Sequence, residues 1–408
     1  MMWLLDKALR SYVKRGEIAL IDHDGKTYRY GSPDAEFGPV TVRFTDAKVA
    51  RDIMRDPGLG AAEAYMDGRL LIERGEILDL INVIRGSHRW EDNEAPNPFL
   101  RRGGRLGHKL RTLNWRPSAR RNVAHYDVGN DFYRLFLDPD LQYSCGYFTD
   151  PETSIEQAQL DKKTHIAAKL RLQPGMKVLD IGCGWGGLAL YLNRVADVDV
   201  LGITLAKEQL ALARQRAEQA GVADRVKFEL MDYRDVAGAF DRVVSIGMLE
   251  HAGQAFYRIF FRKISEVLKR DGVAIVHTMA RMDGPGTTDK FMQKHLFPGG
   301  YLPALSEIVA ASEQERLIMA DCETWRMHYV YTLGRWYERL KGNEAEAIRL
   351  CGERVYRLYL FYLAASKTMF RDAPMGVYQI QYLRDREAAP ITRDYMLEDE
   401  ARLRTVAA

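Results

Sequence analysis

A glycine-rich stretch at residues 178–187 constrains the fold of this chain more than any other feature. An apolar run leads to Asp180, and four glycines then fall within the six positions 182–187. An apolar segment with helical spacing begins at Leu188. This order predicts a buried strand, a tight turn and the start of a helix, where the missing Cβ atoms let a ligand lie on the backbone. Nucleotide-like ligands bind at such turns, at the carboxyl ends of parallel strands.

Segments with strand and helix patterns alternate around this turn. Predicted strands cover 178–181, 198–203, 226–230, 241–246 and 273–277, and predicted helices cover 207–221 and 256–269. Such alternation predicts an α/β fold with a mainly parallel sheet covered by helices. Residues 281–303 interrupt the pattern with glycine and proline, and we expect a lid there. The last 65 residues are predicted to be helical, with an aromatic stripe that is typical of helix core.

The N-terminal residues 1–90 have the pattern of a small α+β domain. A helix is expected over 2–14, and the dipeptide Asp24-Gly25 between two alternating segments predicts a β-hairpin. Residues 40–44 alternate like a further strand. The chain is therefore divided into a domain at 1–90, which we expect to dock on lipid, a linker at 91–122 and a catalytic domain at 123–408.

The linker holds a concentrated positive charge. Residues 99–122 contain eight Lys and Arg residues and no acidic residue, with apolar and aromatic side chains between them, whereas the whole chain has a net charge of only +3. Mixed basic and apolar residues suit an anionic membrane surface. A solvated linker and a nucleic-acid contact are the two alternatives; of these partners we expect the membrane and not nucleic acid.

Composition narrows the class of protein. A chain of 408 residues is too long for one ordinary core, and 47% hydrophobic with 28% charged residues is typical of a globular protein. No apolar run approaches the length of a membrane span, and the first residues do not have the pattern of a secretory signal. The four cysteines lie far apart without metal-binding spacing. We therefore expect a reduced, cytoplasmic protein without a structural metal.

The residues after the second strand bear on which nucleotide-like ligand binds. A NAD site usually places Asp or Glu at the end of that strand, for the ribose hydroxyls. Here Thr204 and Leu205 stand there, and Asp232-Tyr233 follows the third strand, where it suits an adenine contact. Together with Asp180, these residues favour S-adenosylmethionine (SAM) over NAD without excluding NAD.

Five further motifs occur in order around the glycine turn. They are HYDVGNDFY (125–133), LQYSCGYF (141–148), GITLAKEQ (202–209), SIGMLEH (245–251) and FPGGYLP (297–303). With the turn they closely resemble the cyclopropane-fatty-acyl-phospholipid synthase family, which includes the mycolic acid cyclopropane synthases. The resemblance covers residues 120–375 in detail and implies a class I SAM-methyltransferase fold, which is Rossmann-like.

The resemblance implies a cofactor site for SAM. The turn would cradle SAM, Tyr126 and Asp127 would close over it, and residues 204–209 would follow its ribose and methionine parts. Tyr233 and Arg234 would flank the adenine. The residues expected at this site are Tyr126, Asp127, Tyr143, Asp180, Gly182, Gly184, Gly186, Thr204, Leu205, Gln209, Tyr233, Arg234 and Ile246.

The implied reaction methylates a cis double bond of an acyl chain in a phospholipid. Loss of a methyl proton from the resulting carbocation then closes a cyclopropane ring. Electron-rich aromatic faces stabilise a cation, and Tyr143, Tyr147, Tyr301 and Tyr329 are candidates. The resemblance implies a bound bicarbonate as the base. Its ligands would be the side chains of Glu250, His277 and Tyr329 and the backbone amides of Cys145 and Met279.

One position departs from the family pattern. Many members have a cysteine in the segment that here contains Ser366. Either that cysteine is dispensable or this protein yields a methyl-branched or methylene product. A SAM methyltransferase for a soluble small molecule and a silent lipid-binding protein are further alternatives. We expect a homodimer on the inner face of the cytoplasmic membrane, with phospholipid acyl chains as substrate.

Overall fold

The computed structural model describes residues 1–86, 88–92 and 128–407. The chain forms two compact units that are not contiguous in sequence. The first contains the described part of Met1–Arg102 together with Asp289–Leu296 and Val330–Pro374. The second contains the described part of Gly103–Thr288 with Phe297–Tyr329 and Met375–Ala408. The predicted linear boundaries therefore differ from the compact units, because two later segments join the N-terminal residues.

The helices are numbered in chain order over the described residues. They are α1 (Met2–Tyr12), α2 (Lys48–Arg55), α3 (Pro57–Met66), α4 (Ile77–Arg85), α5 (Asn130–Arg134), α6 (Ile155–Leu170), α7 (Gly187–Ala196), α8 (Lys207–Gln219), α9 (Leu249–Ala252), α10 (Tyr257–Val267), α11 (Lys290–His295), α12 (Leu305–Glu313), α13 (His328–Gly342), α14 (Glu344–Cys351), α15 (Glu353–Asp372) and α16 (Asp394–Ala407). None of these helices is long and apolar enough to cross a membrane.

The strands form two sheets, one in each unit. They are β1 (Gly16–Ile21), β2 (Thr27–Ser32), β3 (Val40–Phe44), β4 (Leu70–Arg74), β5 (Lys177–Ile181), β6 (Asp199–Thr204), β7 (Val226–Leu230), β8 (Phe240–Ile246), β9 (Leu268–Arg281), β10 (Ile318–Trp325) and β11 (Met375–Leu383). The strand orders are β2-β1-β3-β4 in the first unit and β10-β11-β9-β8-β5-β6-β7 in the second.

The first unit is an α+β structure, as the sequence predicts. The hairpin of β1 and β2 is antiparallel and turns at Asp24-Gly25, where Gly25 has a φ of 83°. The alternation in β3 buries Val40, Val42 and Phe44 on one face. Strand β4 was not predicted, and it pairs antiparallel with β3. The aromatic stripe of α15 is buried in this unit, where Phe361 contacts the rings of Tyr65 and Phe291.

The second unit contains the mainly parallel sheet that the sequence predicts. Strands β9, β8, β5, β6 and β7 run parallel, and their order reverses direction at β5. Helices cover both faces, with one apolar cluster around Leu179 and Phe260 and another around Val178 and Leu192. A doubly wound sheet forms its ligand crevice at the carboxyl ends of the strands where the order reverses. The turn after β5 lies at that point.

Two antiparallel strands complete this sheet and correct one expectation. The last 65 residues are not all helical, because residues 375–383 form β11, which pairs antiparallel with β9 and with β10. Every residue of β11 is buried. A strand that is covered on both faces lacks the alternation of exposed and buried residues that marks a half-buried strand. Its sequence pattern therefore does not separate it from a buried helix.

Candidate active site

A cavity of about 200 Å³ lies at the carboxyl ends of β5, β6 and β8. The turn after β5 forms one wall, and Gly182 lies there with a φ of 86°. A Cβ atom at Gly182 would come within 3.0 Å of Met248 Cγ on the opposite wall. Glycine is therefore required both for the left-handed backbone and for the width of the cavity.

Nine of the predicted cofactor residues line this cavity. They are Tyr143, Asp180, Gly182, Gly184, Thr204, Leu205, Gln209, Tyr233 and Ile246. Five different segments of the chain supply them: the loop before α6, the ends of β5, β6 and β8, and the turn after β7. The fold therefore assembles in space a set of residues that the sequence distributes over about a hundred positions.

Two predicted cofactor residues lie elsewhere, and two cannot be located. Gly186 does not line the cavity; it has a φ of 81°, and an added Cβ would come within 2.6 Å of the ring of Phe228. Gly186 therefore starts α7 and packs against β7. Arg234 turns back to Asp232, with Nε 2.8 Å from Oδ1, instead of lining the cavity. Tyr126 and Asp127 lie outside the described residues.

Among the described residues whose side chains line the cavity, Asp180 is the one carboxylate. It is 2% exposed, and its Oδ2 atom has no hydrogen-bond partner within the part of the chain that is described. Burial raises the pKa of Asp180 to about 7. A buried carboxylate without a partner is costly, and it is stabilised when a ligand supplies a positive charge or a donor. Asp180 is thus suited to a cationic ligand such as SAM.

Thr204 ends β6 with a hydroxyl where a NAD site would usually have an acid. Its Oγ1 accepts a hydrogen bond from the Ala206 amide at 3.1 Å and lies 3.4 Å from Gln209 Oε1. This contact fixes the turn into α8 and holds Gln209 toward the cavity. The geometry agrees with the preference for SAM over NAD that the sequence indicated.

Glu250 lies next to the cavity, in α9 immediately after β8. Its Oε1 accepts a hydrogen bond from the backbone amide of Met279 at 2.6 Å. Its Oε2 is buried and has no hydrogen-bond partner among the residues that the structure describes. Burial raises the pKa of Glu250 to about 7. The Met279 amide that the resemblance assigns to bicarbonate thus contacts the carboxylate of Glu250 in this structure.

His277 belongs to β9, beside the end of β8. It is paired with Ile246, which lines the cavity, and with Gln379 of β11. Gln379 Nε2 lies 3.3 Å from His277 Nδ1. Burial lowers the pKa of His277 well below its usual value, and the nearby charges of Lys162 and Lys169 lower it further. A neutral ring whose Nδ1 accepts from Gln379 carries its proton on Nε2 and can donate it to an anion.

An aromatic cluster connects His277 with His328, the residue before Tyr329, and with the loop that contains Cys145. The Trp325 ring lies 4.8 Å from His277 and 5.0 Å from Tyr147, and His328 stacks on Tyr147 at 5.0 Å. His328 Nδ1 accepts a hydrogen bond from the Phe148 amide at 2.9 Å. Because Tyr329 follows His328 directly, this bond ties the start of α13 to the loop after Cys145.

Tyr147 is wrongly predicted as a residue that offers an aromatic face to a cation. Its ring stacks on His165 at 4.4 Å as well as on His328, so imidazoles occupy its faces. Tyr143 lines the cavity with an edge contact to Tyr133, and Tyr329 is 4% exposed. Tyr301 is buried, and its hydroxyl donates to Glu307 Oε2 at 2.8 Å.

The segment that was predicted as a lid is hydrogen-bonded to the candidate site. The Tyr301 amide donates to the Glu250 carbonyl at 2.9 Å, and the Arg281 amide donates to the Pro303 carbonyl at 2.8 Å. Ser366 lies in α15, in the first compact unit, and is 8% exposed. Its role stays a prediction.

Nine residues of the cavity were not predicted. They are Leu141, Gln142, Ser144, Leu188, Ile203, Met231, Gly247, Met248 and His251, whereas Ile181, Cys183, Trp185 and Gly187 belong to the turn that was predicted to cradle SAM. The signal for Gln142 and Ser144 was present, because they flank Tyr143 within one motif. His251 was singled out only as the neighbour of Glu250, and burial lowers its pKa to about 4, so its ring is neutral.

The donors around Glu250 and His277 have the chemistry of an anion site. A protonated Glu250 and the Nε2–H of His277 can each donate a hydrogen bond, and the resemblance adds the hydroxyl of Tyr329 to this set. Glu250 Oε2 is buried without a partner in the described part of the chain, which indicates that a ligand completes the site. These residues fit a small oxyanion such as bicarbonate.

Comparisons with known proteins agree with this geometry. The family model for mycolic acid cyclopropane synthetase matches residues 114–380. A "Probable fatty acid methyltransferase" from Pseudomonas putida is 37% identical, with 82% of this chain and 85% of the relative covered. The "Cyclopropane-fatty-acyl-phospholipid synthase" of Escherichia coli K12 is 35% identical, with 86% of this chain and 89% of the relative covered.

A solved structure extends the agreement to the fold. The mycolic acid cyclopropane synthase CmaA1, in a complex with SAH and CTAB, has a TM-score of 0.62 and 34% identity. The match covers 64% of this chain and 97% of that one. The Rossmann-like α/β sheet that the sequence predicted is the sheet of class I methyltransferases. The chain therefore belongs to the mycolic acid cyclopropane synthetase family of SAM-dependent methyltransferases.

Proposed function

We propose that this protein transfers a methylene group from SAM to the cis double bond of unsaturated acyl chains in membrane phospholipids, forming cyclopropane fatty acids. Bound bicarbonate acts as the general base. The observation that carries the proposal is the position of Glu250 and His277. Both residues are buried, and both lie next to residues that line a cavity suited to SAM. The family supports the class of reaction, and the residues of the second unit support the assignment of roles.

SAM supplies an electrophilic methyl group when it is bound. Asp180 would pair with one of its positive charges, and Gln209 and Tyr233 would contact its ribose and adenine sides. Because Asp180 ionises near neutral pH only at a cost, the pairing also relieves the penalty of burying its charge. Because an alkene is a poor nucleophile, the walls of the cavity would have to exclude water and hold the methyl group in one direction.

The base site removes one proton after methyl transfer. Attack by the double bond breaks the S–CH₃ bond and leaves a carbocation on the acyl chain, and loss of a methyl proton lets the ring close. Bicarbonate, when bound, accepts that proton. Glu250, His277 and Tyr329 would hold it by donating hydrogen bonds, and Tyr143 and Tyr329 would present aromatic surface to the cation. His277 would not trap the cation, because its Nδ1 lone pair accepts from Gln379 and its Nε2 carries the proton, and a protonated carboxyl and phenols are weak nucleophiles.

Helix α1 of the first unit supports contact with a membrane. Leu5 is buried and attaches the helix to its unit, whereas Trp3 is 70% exposed and Leu4 is 40% exposed. Lys7 lies 6.0 Å from the Trp3 ring, and Arg10 and Lys14 are exposed. Exposed aromatic and basic residues together are typical of helices that lie in the interface of an anionic bilayer. The basic residues at 99–122 add charge of the same sign.

A labelled-methyl assay tests the proposed function. Purified protein is incubated with SAM that carries a labelled methyl group and with vesicles of cis-monounsaturated phosphatidylglycerol in buffer with bicarbonate. Label should enter the phospholipid, and fully saturated vesicles should accept none. His277→Ala should lose most of the transfer but keep its affinity for SAH in calorimetry, because His277 does not line the cavity. Equal labelling of saturated and unsaturated vesicles would contradict the proposal.

A second product class is favoured by two observations. The Pseudomonas putida relative is named a probable fatty acid methyltransferase. In this chain, Ser366 stands where many family members have a cysteine. The alternative function is C-methylation of the same acyl chains to a methyl-branched or methylene product. A hydride shift to the carbocation followed by loss of a methyl proton would give the methylene product, and loss of a chain proton would give a methyl-branched alkene. The position and timing of proton removal therefore decide between these outcomes and ring closure.

The assembly and its location follow from the resemblance alone. We propose a homodimer that lies at the inner face of the cytoplasmic membrane. Sedimentation velocity of the full chain measures the assembly state, and a sedimentation coefficient of a monomer at micromolar concentration would contradict the dimer.

A further inference from the structure

Helix α6 holds the loop that connects the cavity with the base site. Gln159 Nε2 donates to the backbone carbonyls of Gln142 and Ser144, at 3.2 and 2.9 Å. The Tyr147 amide donates to the Ala158 carbonyl at 2.9 Å. In a trans peptide the N–H points opposite to the C=O. Because the Ser144 carbonyl faces α6, the Cys145 amide points away from α6.

Lys162 lies under the same loop and is almost completely buried. It is 1% exposed, and its Nζ donates to Gln142 Oε1 at 2.9 Å and to Ser144 Oγ at 2.7 Å. Both acceptors are neutral. Within the described residues, no carboxylate oxygen lies within ion-pair distance of this ammonium group, whereas the adjacent Lys163 pairs with Asp140 at 2.5 Å. Lys162 is therefore a buried positive charge with neutral hydrogen-bond partners.

A buried charge of this kind is costly unless something compensates for it. Transfer of an ammonium group out of water is compensated by a paired anion, and a buried lysine without one loses its proton at lower pH. Burial lowers the pKa of Lys162 to about 8, so the group is still mainly charged at neutral pH. A compensating negative charge would therefore stabilise the folded protein.

The charge of Lys162 acts on the candidate base site. Among the charges near His277, that of Lys162 lowers its pKa most, and Lys162 itself interacts electrostatically with Asp138 and, more weakly, with the Cys145 thiol. Its two hydrogen-bond acceptors, Gln142 and Ser144, also line the cofactor cavity. Lys162 thus supports two residues of the cavity wall and acts electrostatically on His277, without lining the cavity itself.

We propose that Lys162 is a positioning residue that supplies the buried positive charge for the anion at the base site. It fixes the loop that presents the Cys145 amide, and its ammonium group raises the affinity of the site for bicarbonate. This inference rests on the proposed function. It adds a residue that does not touch the reacting atoms and that explains why a buried site of largely neutral donors retains an anion.

Two neutral variants separate the charge from the fold. Lys162→Gln keeps a donor for Gln142 and Ser144 but removes the charge, and Lys162→Met removes both. Lys163→Gln is the matched control, since it removes a buried charge one residue away that is paired with Asp140. Arg216 also bonds to Asp140, so the control leaves that carboxylate compensated. Binding of SAH in calorimetry reports whether each variant is folded.

The experiment measures the initial rate of methyl transfer against bicarbonate concentration. The full chain acts on cis-monounsaturated phosphatidylglycerol vesicles in buffer depleted of CO₂, at saturating SAM. Lys162→Gln and Lys162→Met should raise the half-saturating bicarbonate concentration on the order of tenfold or more, which is the range expected for losing a charged partner. The KM for SAM should change far less, and Lys163→Gln should keep the wild-type bicarbonate requirement.

The outcomes distinguish the inference from the proposed function. An unchanged bicarbonate requirement in a folded Lys162→Gln variant, with a bicarbonate-dependent wild type, would overturn the inference alone. Equal changes in the KM for SAM and in the bicarbonate requirement would also overturn it, because they indicate a purely structural lysine. Absence of transfer by the wild type, or transfer that is independent of bicarbonate, would overturn both statements.

Discussion

At the scale of single residues, this site contains two acidic side chains whose pKa values are raised by burial. Asp180 and Glu250 are each 2% exposed, and burial raises the pKa of both to about 7. Asp180 lies in the cofactor cavity, and Glu250 lies beside His277. Such shifts occur where charge is needed only in the presence of a ligand, and they make the ligand-free protein less stable than it could be.

Glu250→Gln should stabilise the ligand-free protein at high pH while it abolishes turnover. A carboxyl whose folded pKa is raised contributes stability that is fully present below its unfolded pKa, about 4.3, and is lost as the pH rises through about 7. Glutamine does not ionise, so the variant does not lose stability as the pH rises. The advantage of the variant in the free energy of unfolding should therefore grow from near zero at pH 4.5 to about 3 kcal/mol at pH 8.

Thermal unfolding at several pH values checks this prediction. The midpoint of Glu250→Gln minus that of the wild type should increase from pH 5 to pH 8. Glu266→Gln is the control, because Glu266 is exposed on α10 and its substitution should give a difference that is flat over this range. A variant that is less stable than the wild type at pH 8 would show that Glu250 is ionised and paired in the folded protein.

The sequence predicted the polar residues of the site better than the residues that hold them in place. Glu250 and His277 were assigned from the resemblance, and both follow or end strands, where an α/β sheet presents its functional groups. Lys162 had no such signal, because a lysine in a helix with many charges is usually exposed. Its burial depends on the loop that covers α6, and no local pattern specifies that contact. The bond between Glu250 and the Met279 amide likewise depends on how two distant segments meet.

At the scale of elements, the glycine turn has two separate tasks. Gly182 keeps the cavity open opposite Met248, whereas Gly186 lets α7 begin against Phe228. The sequence could not separate these tasks, since both glycines occur in one motif. Gly182 serves ligand binding, because it keeps the cavity open. Gly186 serves the stability of the fold, because it lets α7 pack against β7.

Gly186→Ala should destabilise the protein by about 2 to 5 kcal/mol. The left-handed backbone at a φ of 81° costs about 1 to 2 kcal/mol for alanine, and the clash with Phe228 adds about 1 to 3. Gly175→Ala is the matched control, since Gly175 has a φ of 79° but nothing within 4 Å of an added Cβ. Thermal unfolding should show a clearly larger loss for Gly186→Ala, and equal losses would refute the packing role.

Strand prediction succeeded where a pattern alternated or an apolar run was short. Strands β3 and β7 have the predicted bounds because their ends coincide with turn residues. Strands β10 and β11 were missed. Both pair antiparallel at the edge after β9, and β11 is buried on both faces, so its alternation of apolar and polar residues does not match an exposed and a covered face. Tertiary packing, not propensity, determines these two strands.

At the scale of the whole molecule, the chain is organised in units that the linear sequence does not show. Residues 330–374 belong to the unit of the N-terminal helix, although they follow the methyltransferase segments in sequence. Tyr337 of this segment donates to Glu76 Oε2 at 3.1 Å within that unit. Predicting such an arrangement requires pairs of contacting residues, which periodicity and composition do not provide.

Membrane binding should depend on the exposed face of α1. Trp3→Ser with Leu4→Ser should reduce co-sedimentation with anionic phosphatidylglycerol vesicles several-fold, because both side chains are exposed and apolar. Leu397→Ser is the control, since Leu397 is 72% exposed in α16 of the other unit. Binding should also weaken as salt increases. Unchanged sedimentation of the Trp3 and Leu4 variant would exclude α1 as the docking element.

The fate of the transferred methyl group tests the central claim most directly. SAM with a fully deuterated methyl group is supplied to the protein with cis-monounsaturated phosphatidylglycerol, and the product chains are analysed by mass spectrometry and NMR. The proposal predicts a chain with two retained deuterium atoms, cyclopropane resonances and no alkene, because one deuteron is lost as the ring closes. A product with three deuterium atoms, or one that keeps an alkene, would contradict cyclopropane formation.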